Sequence, residues 1–174
     1  IDGGTDERGA EMIPARLQAL LNPGTPSRQL AERFREAGHD LYLVGGSVRD
    51  ALLDRPNSDL DFTTDARPDE IELVVRPWAA DLYLAGKTYG TIGAIRDGRV
   101  HEITTFRSEL YRNESRKPEV SYSDDIEEDL SRRDFAVNAM AIRIPTSEDE
   151  APVMVDPFGG LTDLHGRVLR TPLD

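Results

Sequence analysis

Short apolar strands interleaved with helices, together with one clear β-hairpin, predict a mixed sheet with packed helices, in an α/β or α+β domain. The hairpin is the surest local signal. Residues 91–96 (TIGAIR) and 99–106 (RVHEITTF) are apolar-rich, strand-like runs, and the Asp97-Gly98 between them suits a type I′ turn. The size fits as well: 174 residues suit one domain, and 38% hydrophobic against 31% charged residues supplies a core and excludes wholesale disorder.

The other elements follow in chain order. Residues 1–10 are acidic and Gly-rich and read as a flexible leader. Residues 12–21 (MIPARLQALL) have helical apolar spacing and stop at Asn22-Pro23-Gly24. Ser27 is placed to cap a second helix that ends at Gly38. Residues 41–44 form a buried strand before Gly45-Gly46, and 47–53 form a helix starting on Ser47. Residues 59–63 (DLDFT) alternate as a half-buried strand does. Pro68 opens a helix running to about Trp78, and Leu82 to Leu84 precede a turn at Gly86. Residues 108–118 (SELYRNESRKP) carry no period and read as a mobile loop. Helix is expected from Asp124 to Leu130 and from Asp134 to Met140, then a strand from Ala141 to Ile144. A turn at 156–160, a helical turn from Leu161 to Leu164 and a last strand at Val168-Leu169 complete the reading. The domain division is a leader and first helix over 1–26 and the main domain over 27–174.

Composition narrows the function classes. The chain has no cysteine, which excludes disulfides and thiolate metal sites. No apolar run approaches the ~20 residues of a membrane span, and the first ten residues lack a secretory h-region, so a cytoplasmic protein without a membrane partner is expected. Ile1 in place of an initiator methionine implies a start that was cut. The formal net charge of −12 argues against nucleic acid as a partner unless a local basic stretch, or residues outside this chain, provide the contact.

The sharpest chemical feature is Asp59-Leu60-Asp61. Alternate strand residues share a face, so both carboxylates project together, and a hard divalent cation such as Mg²⁺ relieves their repulsion. A pair of such ions about 3.5–4 Å apart activates a hydroxyl and stabilises a leaving phosphate. Alone, the motif reads more readily as a solvated strand face or a turn. Upstream, Val44-Gly45-Gly46-Ser47 runs a strand into a helix through two glycines that admit a phosphate to the backbone, with Arg49 as a charged fork. Its bland reading is a tight turn with Arg49 paired to Asp50. Glu102 completes a three-carboxylate cluster if its strand neighbours that of Asp59; otherwise it is an exposed strand residue. Downstream, Arg133 is a candidate for a triphosphate, Asp134 caps the next helix, and Asn138 shares the helical face of Asp134. The bland view of 128–135 is a solvated face with local ion pairs. The three histidines have no metal spacing.

In order, the blocks LVGGSVRDALL (43–53), SDLDFTTDA (58–66), GTIGAI (90–95), HEITTFR (101–107), EEDLSRRDFAVNAMAI (127–142) and DPFGGLTDL (156–164) resemble the head of the class II tRNA nucleotidyltransferases and bacterial poly(A) polymerases, within the polymerase-β-like superfamily. The resemblance covers about residues 40–170. It implies an α+β head on a mixed, mostly antiparallel sheet with packed helices. It also implies Mg²⁺-dependent transfer of CMP or AMP from CTP or ATP to the 3′ end of tRNA or another RNA, releasing pyrophosphate. Asp59 and Asp61 match the metal pair. Gly46 and Arg49 match nucleotide contacts, with Gly45 and Ser47 beside them, and Arg133 matches a further contact. Glu102 sits at the third-carboxylate position. The loop after Arg107 matches a segment that orders the site for the last addition.

The family's base-selecting motif lies in a neck that this sequence does not contain, so a fragment of a longer enzyme, weak or inactive alone, is expected. Within it Arg107, Arg112, Arg116 and Lys117 are the local RNA candidates. CCA addition is the leading activity. Poly(A) polymerase and specialised CC- or A-adding enzymes are alternatives, and Gly86-Lys87-Thr88-Tyr89-Gly90-Thr91 tilts toward the CCA-adding pattern. A non-catalytic RNA-binding module is the alternative from another class. An antibiotic-modifying nucleotidyltransferase would lack the 127–142 block.

Overall fold

A computed structural model describes residues 14–57, 59–108 and 120–173. The leader, the expected helix start at residue 12 and nearly all of the expected mobile loop lie outside the described residues. The elements are α1 (Ala15–Leu21), α2 (Pro26–Glu36), β1 (Leu41–Val44), α3 (Gly46–Leu52), β2 (Leu60–Thr64), α4 (Pro68–Val75), β3 (Asp81–Tyr83), β4 (Thr91–Arg96), β5 (Arg99–Thr105), α5 (Ile126–Ser131), β6 (Ala141–Arg143), β7 (Val153–Val155) and α6 (Gly160–Gly166). Single 3₁₀ turns occupy Lys87–Tyr89 and Ala136–Asn138.

One seven-stranded sheet runs in the order β3-β4-β5-β2-β1-β6-β7. Among these pairs only β2 with β5 is parallel, so the sheet is mixed and mostly antiparallel. Period-2 alternation sorts its two faces. Leu41, Leu43, Leu60, Phe62, Ile92, Ile103 and Ile142 point to one side, where Leu30 and Phe34 of α2, Val48 of α3 and Ile71 and Val75 of α4 cover them. Leu17 and Leu21 of α1 enter the same core, so this helix is built into the domain. Each fully buried Leu, Ile or Phe contributes about 1.5–3 kcal/mol. The opposite face carries only a small apolar cluster around Val44, Leu130, Ala139 and Ala141. Beyond that cluster the face is polar and open, and this asymmetry is what places the site.

Several boundaries differ from the sequence reading for identifiable reasons. Thr25, not Ser27, caps α2: its hydroxyl accepts from the Arg28 N–H at 3.3 Å, and Pro26 takes the first helical position, where its missing N–H costs nothing. Ser27 is instead buried in the first turn. The turn at Asp97 and Gly98 is left-handed at both residues (φ 51° and 72°), as a type I′ hairpin requires. Residues 134–140 do not form an α-helix. Asp134 spends its carboxylate on the Phe135 N–H (2.8 Å) and the Asn138 side-chain amide (3.0 Å), and the Ala136 N–H donates to the Arg170 carbonyl at 2.7 Å. The last strand is β7 at Val153–Val155, paired with β6, whereas Val168 and Leu169 are irregular.

His39 joins α2 to the rest of the fold. Its ring nitrogens lie 3.0 Å from Asp65 and 2.7 Å from Glu70. Burial pulls its pKa down, but the hydrogen bonds to Asp65 and Glu70, and then their charges, outweigh burial, and the net shift is upward. A raised folded pKa adds stability that is complete below the unfolded value of about 6.5 and lost as pH climbs through the folded value. Wild type should therefore exceed His39→Gln in melting temperature by a few degrees below about pH 6.5, and the gap should close in alkali. A gap that is flat with pH in thermal melts would refute this.

Candidate active site

The polar sheet face gathers the carboxylates. Asp61 lies on β2 and Glu102 on β5, and these two residues are direct register partners across the parallel pair. Same-face partners on neighbouring strands stand about 5 Å apart at Cβ. Asp59 lies just ahead of β2 rather than in it, exposed, with its N–H donating to the Asn57 side-chain oxygen at 3.1 Å. Burial first, then a hydrogen bond and charge from Asp61, then charge from Asp59 push Glu102 above the ordinary carboxylate range. Such a pair is poised to release its strain to a cation.

The donors are all oxygens, which suits a hard divalent ion. Among the described residues, no three carboxylate or imidazole side chains gather closely enough to cage an ion by themselves. Mg²⁺ is commonly held by one or two carboxylates, with water and substrate phosphates filling the rest, and Asp61 and Glu102 are placed to be those carboxylates.

Asp61, Glu102, Thr91 and Thr104 line a cleft of about 340 Å³, and Arg107, Asp129, Arg132 and Arg133 line it with them. Anionic and cationic groups thus share one opening. Arg133 also borders a second opening of about 370 Å³ with Gly45, Gly46, Arg49, Asp134 and Asn138. The glycine turn is shaped by these cations. Gly45 has φ 66° and ψ −133°, a conformation essentially reserved for glycine, and a Cβ there would stand 3.1 Å from Nη1 of Arg133. A Cβ on Gly46 would stand 3.3 Å from Nη2 of Arg49. The two glycines therefore leave room for two guanidinium groups.

Arg49 forks onto Asp50 through Nε and Nη2, both at 3.2 Å, and donates from Nη1 to the Asn138 oxygen at 2.7 Å. Asn138 in turn donates to Asp134, whose pKa is held low by that amide, then by the Phe135 N–H and the charge of Arg133. The expected contact between Asp134 and Asn138 exists, but on a 3₁₀ turn rather than an α-helix. Ser47 is 1% exposed, and its hydroxyl accepts the Asp61 N–H at 2.9 Å. It pins α3 to the strand that bears the carboxylate.

Arg107 is not a free loop cation. Its guanidinium donates to the Tyr89 carbonyl and to the Thr91 hydroxyl, making it part of the cleft wall. Arg112, Arg116 and Lys117 lie outside the described residues. Asp129 is the site residue that sequence reasoning missed. It is 6% exposed and accepts from the Arg107 N–H at 2.9 Å and from Arg133 Nη2 at 3.2 Å. A signal was available: Ile126, Asp129, Leu130 and Arg133 fall at helical spacing, which puts Asp129 on the inward face.

Residues 41–170 match the poly A polymerase head domain. The chain belongs to that family. This head-domain chain is 37% identical over 143 residues to a CCA-adding enzyme of Geobacillus stearothermophilus, covering 82% of the chain and 33% of that protein. It is 44% identical over 156 residues to the CCA-adding enzyme of Streptococcus pneumoniae serotype 19F, covering 89% and 37%. The fold superposes on the crystal structure of the Bacillus stearothermophilus CCA-adding enzyme in complex with CTP with a TM-score of 0.67 at 33% identity, covering 84% of this chain and 33% of that one. A tRNA nucleotidyltransferase complexed with a primer tRNA and an incoming ATP analog gives 0.63 at 29% identity, covering 82% and 38%. The head domain thus spans about a third of the length of the curated relatives it matches. Among the described residues, no helix is long and apolar enough to cross a membrane.

Proposed function

We propose that this head carries the chemistry of CCA addition, transferring CMP and AMP from CTP and ATP to the 3′ end of tRNA. The observation that carries the reading is the Asp61–Glu102 pair on the open sheet face, with Arg133 lining the same cleft. The RNA 3′ hydroxyl attacks the α-phosphorus, the bond from that phosphorus to the bridging oxygen breaks, and pyrophosphate leaves. Asp59 and Asp61 would hold Mg²⁺, with Glu102 beside them as a further ligand or as acceptor of the hydroxyl proton. When bound, a pair of such ions activates the attacking hydroxyl and offsets charge on the leaving group. Arg133 and Arg49 hold the triphosphate as charged forks, the glycine turn gives it access to the backbone, and Asn138 keeps Arg49 in place.

The head takes in α1 as well as residues 27–174. Its net charge of −12 is consistent with tRNA being gripped mainly by other parts of a longer cytoplasmic enzyme. The test supplies the intact enzyme with a tRNA lacking its terminal CCA and with CTP, ATP or both. Two C additions followed by one A are expected, each requiring a divalent cation. Long A tails from ATP alone would instead establish the poly(A) polymerase reading that the family description keeps open. RNA binding without incorporation would establish a non-catalytic module.

A further inference from the structure

We propose that Asp129 is a positioning residue for nucleotide binding: its buried carboxylate fixes the guanidinium of Arg133 against the end of β5, so that Arg133 meets the incoming triphosphate already oriented. The inference rests on the nucleotide-transfer reading of the cleft.

Both oxygens of Asp129 are committed. Oδ1 accepts the backbone N–H of Arg107, two residues beyond β5, and Oδ2 accepts Nη2 of Arg133. One carboxylate therefore connects the strand that bears Glu102 to the arginine that lines the same cleft. The helix around it is fixed at both ends. The Asp125 side chain caps α5 by accepting from the Glu127 N–H at 3.0 Å, and Leu130 is fully buried in the small apolar cluster with Val44. Asp129 thus has a rigid base from which to hold a flexible side chain.

Arg133 is placed rather than saturated. Its Nη1 lies against the glycine turn, in the space that a Cβ on Gly45 would invade. Its Nε is buried and has no acceptor among the described residues. A partly exposed guanidinium with a buried donor to spare, held at one corner by a carboxylate, suits a phosphate oxygen as its remaining partner. Loss of the carboxylate would free the long side chain to choose among rotamers, and that entropy would be charged to nucleotide binding.

Asp129→Asn separates positioning from bulk packing because it keeps the shape and one carbonyl oxygen. That oxygen can serve Arg107 or Arg133 but not both, and the new amide donor faces a donor. In steady-state kinetics of the intact enzyme, KM for CTP and ATP should rise about 10–100-fold while kcat changes less than about 3-fold. Asp129→Glu, which keeps both oxygens, should recover part of the loss. In an Arg133→Ala background, Asp129→Asn should cost less than about 2-fold further, because the arginine it positions is gone.

An unchanged KM, or the same fold loss with and without Arg133, would overturn the proposal. So would a lowered kcat with unchanged KM and a reduced active fraction, the pattern of a merely structural residue. Failure of the underlying reading looks different: wild type itself would transfer no nucleotide.

Discussion

Asp61→Asn is expected to lower nucleotide incorporation by at least about 100-fold, since even residues that only support a metal ligand cost 10–100-fold when removed. The fold should survive it. The Asp61 N–H that donates to Ser47 belongs to the backbone, and asparagine keeps the side-chain shape. The variant should in fact melt at or above wild type without divalent cation, because one of two facing carboxylates is gone and Glu102 sheds the part of its upward pKa shift that Asp61 imposes, though burial still raises it. Adding Mg²⁺ should then stabilise wild type but not the variant, since a ligand that binds only the native state raises its melting temperature. Glu102→Gln should remove the same repulsion with a smaller loss of activity, because it touches one carboxylate of the cluster and leaves Asp59 and Asp61. Incorporation assays and melts with and without Mg²⁺ check all of this. Retention of more than half the activity by Asp61→Asn would sink the assignment of this pair.

The second large effect lies away from the carboxylates. Gly160 opens α6 so close to the 3₁₀ turn at Ala136–Asn138 that an added Cβ would overlap the Ala136 carbonyl and stand 2.8 Å from Cγ of Met140. Backbone cannot swing aside as a side-chain tip can. Gly160→Ala should therefore cost about 1–3 kcal/mol or more, a drop of several degrees in melting temperature. It should also weaken nucleotide binding, because the displaced turn presents Asn138, the acceptor for Arg49. Gly166→Ala is the matched control, since its Cβ would meet only a methyl of Val168 at 3.6 Å. Equal melting temperatures for the two variants would show that α6 does not buttress the turn.

What the sequence made legible is local. The Asp97-Gly98 hairpin, the alternation through Asp61 and the glycine turn before α3 each announce themselves within a few residues, because turn chemistry and side-chain period act at that range. The resemblance of ordered blocks added the family and the kind of sheet. The misses are tertiary. Residues 134–140 look helical until the Arg170 carbonyl captures the Ala136 N–H and the Asp134 carboxylate folds onto Asn138. β7 is short and sits after a charged stretch, and only pairing with β6 makes it a strand. Glu127, Glu128 and Asp129 read alike as a run of acids, yet only the last is buried, against two arginines.

The parallel pairing of β2 with β5 has a consequence for how the head comes into being. Asp61 and Glu102 are separated by about 40 residues of chain, and contacts of that span form only after a loop-closure cost that local elements avoid. A chain with its helices formed and its hairpin closed still has no paired carboxylates, so a half-folded head presents no facing pair to a metal ion. The facing pair appears only with this non-local zipping of the sheet, so metal binding at Asp61 and Glu102 doubles as a report that β2 and β5 have joined.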